Sequence, residues 1–182
     1  RFGDTPSEYT WVVTDKSGTK YYYGKKNADG SMKGVLMGKN YDGKDVIAEW
    51  KLVRVQEFHG DWIEYEYETA YVDKFSAKSL RLSSVSAGNS GEKAHTVVSF
   101  SYATSVKDVK SNNNISSKTT TSGRYGFFTG QDYLLTNVSV FYDNETNPLR
   151  SYAFDYEKGM FESVLLSKVR HMVGKKEISN NH

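Results

Sequence analysis

The sequence predicts an all-β, antiparallel protein made of successive hairpins, forming a strongly twisted sheet or a half-open barrel. Three observations predict it. Apolar and polar residues alternate along many short runs, which is the period of a strand with one buried face. Fourteen Tyr, nine Phe and three Trp sit among Thr and Val, side chains that suit a pleated, half-buried surface. Between the runs lie short segments of Gly, Asp and Asn, the residues that turns require.

The elements follow in order. Residues 9–14 (YTWVVT) and 19–24 (TKYYYG) flank Asp15-Lys16-Ser17-Gly18 and read as a first hairpin. Residues 30–45 are rich in Gly and charge, with turns expected at Asp29-Gly30 and Asp42-Gly43. Residues 46–58 and 62–72 form a second hairpin. Its tip is read as a two-residue turn, His59-Gly60, in which glycine supplies the positive φ. Residues 73–94 are polar. Residues 95–103 (HTVVSFSYA) are a further strand. Residues 104–124 form a polar stretch, expected to be a long mobile loop or an excursion between strands. Residues 132–142 and 149–157 make a third hairpin. Residues 160–173 begin a fourth, turning at Gly174; their β-branched residues favour a strand over the competing helix.

Two of these hairpins resemble each other. Residues 52–68 (LVRVQEFHGDWIEYEYE) and 135–157 (LTNVSVFYDNETNPLRSYAFDYE) both begin Leu-x-x-Val, pass a turn and end aromatic-x-Tyr-Glu. Residues 166–178 (LSKVRHMVGKKEI) repeat the opening and the turn, then stop. The pattern implies degenerate hairpin repeats of roughly 20 residues, the last cut short. The polypeptide is therefore expected to continue past His182, and a start at Arg1 rather than Met suits an excised piece.

Composition narrows the function. The length fits one β-rich domain over residues 1–182, read as part of a longer protein. A net charge of +2 is too small to argue for nucleic acid or an anionic membrane as partner. With no cysteine, disulfides, thiolate metal sites and cysteine nucleophiles are excluded. No apolar run approaches the roughly 20 residues that span a bilayer.

The strongest candidate chemistry is WIEYEYE (62–68), which sets Glu64, Glu66 and Glu68 at every second position. Residues two apart lie on one face of a strand, roughly 6.5–7 Å apart, a separation that suits an acid and a base around a water. The alternative is a solvated strand face paired with cations such as Lys51, and the sequence favours it. The two-residue turn would pair Glu57 with Trp62, Val55 with Glu64, Val53 with Glu66 and Lys51 with Glu68. ADP-ribosyltransferases also use a Glu-x-Glu strand, but after Ser-x-Ser, whereas here Ser83-Ser84-Val85-Ser86 follows the glutamates. Whether the three glutamates line a cavity is not legible from sequence.

Other candidates are weaker. His59, His95, His171 and His182 form no zinc-spaced pair; His59 reads as a turn residue and His182 as a frayed end. Residues 143–145 (DNE) and 42–45 (DGKD) offer oxygen ligands but match no calcium loop. No Gly-x-Ser-x-Gly elbow and no phosphate-cradling glycine loop is present. Asn114, Asn137 and Asn144 begin glycosylation sequons. The tyrosine-rich strands fit either stacking on sugars or packing between layers with the hydroxyls at an edge, and the second is favoured. No catalytic residue, metal ligand or cofactor is expected.

Residues 11–24 (WVVTDKSGTKYYYG), followed by 47–68 (IAEWKLVRVQEFHGDWIEYEYE), resemble a stretch of the Salmonella plasmid virulence protein B family. They also look like the B component of insecticidal toxin complexes and the wider Rhs, or YD-repeat, proteins. Residues 133–157 and 165–169 (LLSKV) resemble the next strand pairs in the same order. Ser17 and His59 depart from the family's turns, and residues 104–124 have no counterpart. The resemblance implies a β-rich, non-catalytic segment of a secreted or surface bacterial protein, part of a casing around a separate toxin domain. It implies as partners the other domains of the same polypeptide or toxin complex. Exposed edge strands make strand-mediated self-association a further expectation. The competing expectation is a glycan- or peptide-binding β module on the bacterial surface.

Overall fold

The computed structural model describes residues 1–72, 77–143, 145–174 and 176–178. Asn144, which begins the third sequon, and His182 lie outside the described residues. In chain order the strands are β1 (Trp11–Thr14), β2 (Lys20–Tyr23), β3 (Lys25–Lys26), β4 (Met32–Lys33), β5 (Val35–Lys39), β6 (Asp45–Trp50), β7 (Leu52–Gln56), β8 (Trp62–Val72) and β9 (Ala77–Gly88). They continue as β10 (Thr96–Ala103), β11 (Ser105–Lys107), β12 (Asn114–Ser116), β13 (Thr120–Ser122), β14 (Thr129–Gln131), β15 (Leu134–Tyr142), β16 (Arg150–Lys158), β17 (Val164–Val173) and β18 (Lys176–Glu177). The protein is nearly all β and antiparallel, and its strands do not close into a barrel. It folds as two compact units: Arg1–Ala94 with Thr121–Gln131, and His95–Thr120 with Asp132–His182.

In the first unit the strands lie in the order β1-β2-β7-β8-β9, with β14 beside β9. Four of its turns share one design. At Asp15–Thr19, Asn27–Ser31, Asn40–Lys44 and Glu57–Asp61, the first N–H donates to the last carbonyl. The glycine N–H then donates back to the first carbonyl. Gly18, Gly30, Gly43 and Gly60 hold φ of 86°, 85°, 74° and 98°, the left-handed residue that closes a three-residue hairpin loop. The expected turns therefore stand, but the loop at Phe58-His59-Gly60 has three residues, not two. That one extra residue slips the second hairpin: Gln56 faces Trp62, Val55 faces Ile63 and Arg54 faces Glu64.

Two further readings are corrected, and the second of two alternatives for a third is the one found. Residues 46–58 are not one strand. The chain breaks at Lys51, so β6 pairs with β5 while β7 pairs with β2 and β8. Lys51 N–H donates to Gly34 O and Gly24 N–H to Lys51 O, which anchors the break. Residues 77–88, read from sequence only as part of a polar stretch, form β9, which pairs with β8 along its whole length with Ser83 the extra residue of a bulge. Residues 104–124 are an excursion with structure of its own: β11 and β12 pair from Ser105↔Ser116 to Lys107↔Asn114.

The second unit runs β10-β15-β16-β17-β18, and its first four strands repeat β2-β7-β8-β9 of the first. In β2–β7, Tyr22 faces Arg54 and Tyr23 faces Leu52, with Val53 the extra residue of a bulge. In β10–β15, Ser101 faces Asn137 and Tyr102 faces Leu135, with Thr136 the extra residue. β7 and β8 stop pairing after Arg54–Glu64; β15 and β16 stop after Asn137–Ala153. Beyond each stop a tyrosine spans the gap: Tyr67 Oη donates to Leu52 O at 2.9 Å, and Tyr156 Oη to Leu135 O at 2.7 Å. A second bulge follows directly, before Tyr67 in β8–β9 and before Tyr156 in β16–β17. The repeat seen in sequence is thus part of a four-stranded unit, interrupted at the same point by an excursion (β3–β6 in one, β11 onward in the other). β17 stands where β9 stands, so residues 166–173 are the fourth strand of the second copy rather than the opening of a third hairpin repeat. The expected turn at Gly174 joins β17 to β18.

Among the described residues few apolar side chains are buried. In the first unit these are Val35, Leu36, Val53, Ala70, Val72 and Ala77; Ile115 is buried in the second. Most other strand residues, including Tyr65, Tyr67, Tyr152 and Tyr156, are half-buried. The ladders and their polar locks therefore carry an unusual share of the organisation. Asp108 in the second unit is such a lock, only 6% exposed. Its carboxylate accepts the N–H of Lys110 at 2.7 Å, of Lys158 at 3.2 Å and of Ser111 at 3.3 Å. These bonds, that from Lys110 foremost, hold its pKa below the usual Asp range.

Two outcomes are expected. Tyr67→Phe and Tyr156→Phe should each destabilise by about 0.5–1.5 kcal/mol, one hydrogen bond apiece, in urea unfolding; a silent Tyr156→Phe beside a costly Tyr67→Phe would break the equivalence. Because the folded pKa of Asp108 is depressed, its stabilising contribution is complete above the ordinary Asp range and is lost as pH falls through the folded value. Asp108→Asn should therefore lower the urea midpoint at neutral pH and reduce the loss of stability on acidification.

Candidate functional site

A concave surface of chemical interest lies in the first unit. It is built on a lateral row of opposed residues. Val12 faces Tyr22, Tyr22 faces Arg54 and Arg54 faces Glu64. Directly opposed residues share a sheet face, so the row crosses one face of β1-β2-β7-β8. The bulge adds Val53 beside Arg54, and both side chains reach the same hollow. The β3–β4 hairpin brings Lys25, Lys26 and Lys33 to its edge, and Phe2 forms a further wall. Phe2 is placed there by its bridge to Thr10. The enclosed cleft measures about 520 Å³, within the range of small-molecule sites.

The glycine at position 34 makes this possible. It holds φ of +64°, and a Cβ there would sit 2.2 Å from Val53 Cγ1. Only glycine lets the hairpin approach closely enough to bury Val53 to 2% exposure and set Lys33 over the cleft.

The electrostatics are a set of separate pairs. Arg54 Nη1 donates to Glu64 Oε1 at 2.6 Å. Lys33 binds Glu66, and Lys26 binds Glu8. The hydrogen bond between Lys26 and Glu8 holds the lysine above its usual range and the glutamate below. Arg54 also lies over the Trp62 ring, 5.5 Å from its centroid, while its Nε is buried without a hydrogen-bond partner. Among the described residues Lys25 has no carboxylate partner. The rim thus carries Lys25, Lys26, Lys33 and Arg54 against Glu8, Glu64 and Glu66, with Asp4 also acting on Lys26.

The three candidate glutamates do share the β8 face, but they serve three different cations. Glu68 accepts from Arg81 Nε at 2.7 Å, not from Lys51. Lys51 instead pairs with Glu49 at 2.7 Å, a consequence of the one-residue slip and of the break at Lys51. Of the three, Glu64 lines the cleft and Glu66 and Glu68 do not. Spacing along β8 located these residues; their partners come from β7, the β3–β4 hairpin and β9.

The remaining candidates are dispersed. His59 sits at its turn, as read from sequence, with its ring edge-on to Phe58. His171 stacks on Tyr152 with centroids 4.9 Å apart. Asp45 of the acidic turn pairs with Lys39 at 3.0 Å. Among the described residues no three His, Asp or Glu side chains gather as a metal site, and no helix is long and apolar enough to cross a membrane. The paired tyrosines Tyr65 and Tyr67 are half-buried, while highly exposed rings, Tyr41 and Phe58 in turns and Phe161 in the 3-10 segment Met160–Glu162, lie outside the strands. The lysine rim was missed because its members are scattered through a Gly- and Lys-rich segment with no recognisable motif.

Solved structures share this fold. The N-terminal domain of effector protein SpvB from Salmonella typhimurium strain LT2 matches with a TM-score of 0.66 at 16% identity, over 90% of this chain and 61% of that one. A crystal structure of TcdB2-TccC3-Cdc42 matches with a TM-score of 0.61 at 16% identity, over 89% of this chain and 9% of that one. TcdB2-TccC3 without its hypervariable C-terminal region gives a TM-score of 0.62 at 15% identity, again over 89% and 9%. The chain therefore spans about three fifths of the first solved chain, itself an N-terminal domain, and a small part of the other two. At these identities the likeness is one of fold. No protein-family model and no curated protein matches the sequence.

The approach of the hairpin predicts a sharp contrast. Gly34→Ala must relieve both a backbone strain and a clash, and should cost about 2 kcal/mol or more. Gly43→Ala, with open space around its Cβ, should cost only about 1 kcal/mol for its positive φ. Urea unfolding of the two variants checks this.

Proposed function

We propose that the chain is a structural, non-catalytic segment of a secreted or surface-delivered bacterial toxin-like protein. In this reading it forms part of the wall of a larger assembly. Its partners are the other domains of the same polypeptide or toxin complex. The observation that carries the proposal is the shared fold over nine tenths of the chain with SpvB and TcdB2-TccC3 segments. Those proteins are an effector and a multi-component complex, and this chain is similar to only part of each. The local chemistry supports the same reading. Glu64, Glu66 and Glu68 are each bound to a cation on a neighbouring strand, which suits a face that fixes register. Exposed pairs of this kind contribute roughly 0–1 kcal/mol each, so their role is specificity of packing more than stability.

A second reading has one observation in its favour. The cleft over Val12, Tyr22 and Val53 suits a β module that binds a peptide or glycan at the bacterial surface.

The parent reading frame and limited proteolysis of its product test the first reading. Further β hairpin segments and a separate passenger domain are expected, with the passenger protected from protease while this segment is folded. A secretion signal directly before Arg1 with a stop codon directly after His182 would overturn the wall and leave the binding module.

A further inference from the structure

We infer that Asp42-Gly43, at the tip of the β5–β6 hairpin, is a site of spontaneous backbone modification. Its aspartate cyclises to a succinimide and reopens as isoaspartate, while Asp29-Gly30, the same dipeptide in a turn of the same design, is protected. This stands apart from the wall reading and holds whether the chain acts within a larger protein or alone.

The step needs a free side-chain carboxyl and an unhindered amide next in the chain. The Gly43 nitrogen attacks Cγ of Asp42. A C–N bond forms, a C–O bond breaks, and the carboxyl hydroxyl leaves as water with the amide proton. Water then opens the ring. Opening at the backbone carbonyl leaves the chain running through the side chain, which is isoaspartate. Water lost in the first step is regained in the second, and nothing is oxidised or reduced. A following glycine has no Cβ to obstruct the attack, and the sequence holds two Asp-Gly pairs, at 29–30 and 42–43.

The two turns match in backbone. Gly30 N–H donates to Asn27 O at 3.0 Å and Gly43 N–H to Asn40 O at 2.9 Å. A Cβ on either glycine would meet nothing within 4 Å, and both aspartates are exposed. Backbone closure therefore slows the attack alike in both, and the side chains make the difference. Ser31 donates to Asp29 Oδ1 twice, from its N–H at 2.9 Å and its hydroxyl at 2.6 Å. Asn27 Nδ2 in turn donates to Ser31 Oγ at 2.9 Å. In the other turn Lys44 stands in the place of Ser31 and has no hydroxyl. Its N–H donates to Asn40 Oδ1 at 2.9 Å, so it is not offered to Asp42. Among the described residues no donor holds the Asp42 carboxylate. Asp29 must break its bonds before it can react, and Asp42 has none to break. The Ser31 bonds also hold the Asp29 carboxyl below the usual Asp range, which depletes the neutral acid whose hydroxyl leaves. At Asp42 the product adds one carbon to the loop backbone, and a hairpin closure is specific to its loop length.

The full chain, held for weeks at body temperature in mildly acidic buffer, tests this. Trypsin then releases 27–33 (NADGSMK) and 40–44 (NYDGK) as separate peptides, and electron-transfer fragments distinguish isoaspartate from aspartate in each. Peptide 40–44 is expected to accumulate isoaspartate about three- to tenfold faster than 27–33, the factor that one net hydrogen bond places on a rate. In urea, where the turns are lost, the two rates should converge. Ser31→Ala, an exposed substitution that removes the hydroxyl donor, should raise the folded-state rate at Asp29 about twofold or more and leave that at Asp42 unchanged. The inference is overturned by equal rates in the folded chain, by faster conversion at Asp29, or by no isoaspartate at Asp42. A contrast that persists undiminished in urea, or an Asp29 rate that Ser31→Ala does not change, overturns it equally.

Discussion

A strand carbonyl that loses its ladder partner must find another donor or carry the cost of desolvation. At Leu52 and Leu135 that donor is a tyrosine hydroxyl from the neighbouring strand. Both carbonyls lie one residue before a bulge and beyond the point where two strands stop pairing. The bulge turns the strand, the parting opens space, and the tyrosine closes it. Burial raises the pKa of both Tyr67 and Tyr156, so each stays a neutral donor far into the alkaline range. The rest of each unit is arranged around this joint.

What fills the parting differs between the two copies, and that difference creates chemistry. In the first unit the β3–β6 excursion enters. Gly34 approaches Val53, Lys33 reaches Glu66, and Arg54 settles on Glu64. The outcome is a cleft with an apolar floor and a basic rim. In the second unit the corresponding positions are Asn137 and Ala153, which carry no charge. The polar lock there is Asp108, gathering three backbone N–H groups between β11 and β16. A duplicated frame has thus been left free to vary where strands diverge, which is where backbone groups and space become available together.

The shared fold with SpvB and TcdB2-TccC3 segments agrees with a frame of this kind. Long ladders with modest cores draw their organisation from neighbouring strands as much as from an interior. Small isolated sheets gain little from half-buried tyrosines alone. The ion pairs on β8 fit the same economy: Glu64, Glu66 and Glu68 fix which strand lies beside which.

The sequence by itself determined the β class, the hairpins around Gly18 and Gly60, and the turns at Gly30, Gly43 and Gly174. It also carried the repeat linking Leu52–Tyr67 to Leu135–Tyr156, and the shared face of the three glutamates. These are local properties: a period of two, a positive φ, and a spacing along one strand. The tertiary structure alone decided partners and register. The break at Lys51 depends on Gly24 and Gly34, which are remote in sequence. The apolar alternation of β9 changes phase between Leu82 and Val85, because Ser83 is the extra residue of a bulge opposite Glu66 and Tyr67. Nor does spacing reveal which cation meets which glutamate, because one extra residue in the loop at Phe58-His59-Gly60 shifts every pair along the hairpin. The cleft assembles Phe2, β1, β2, the β3–β4 hairpin, β7 and β8. No single stretch of sequence contains it, because its walls exist only once strands far apart in the chain lie side by side.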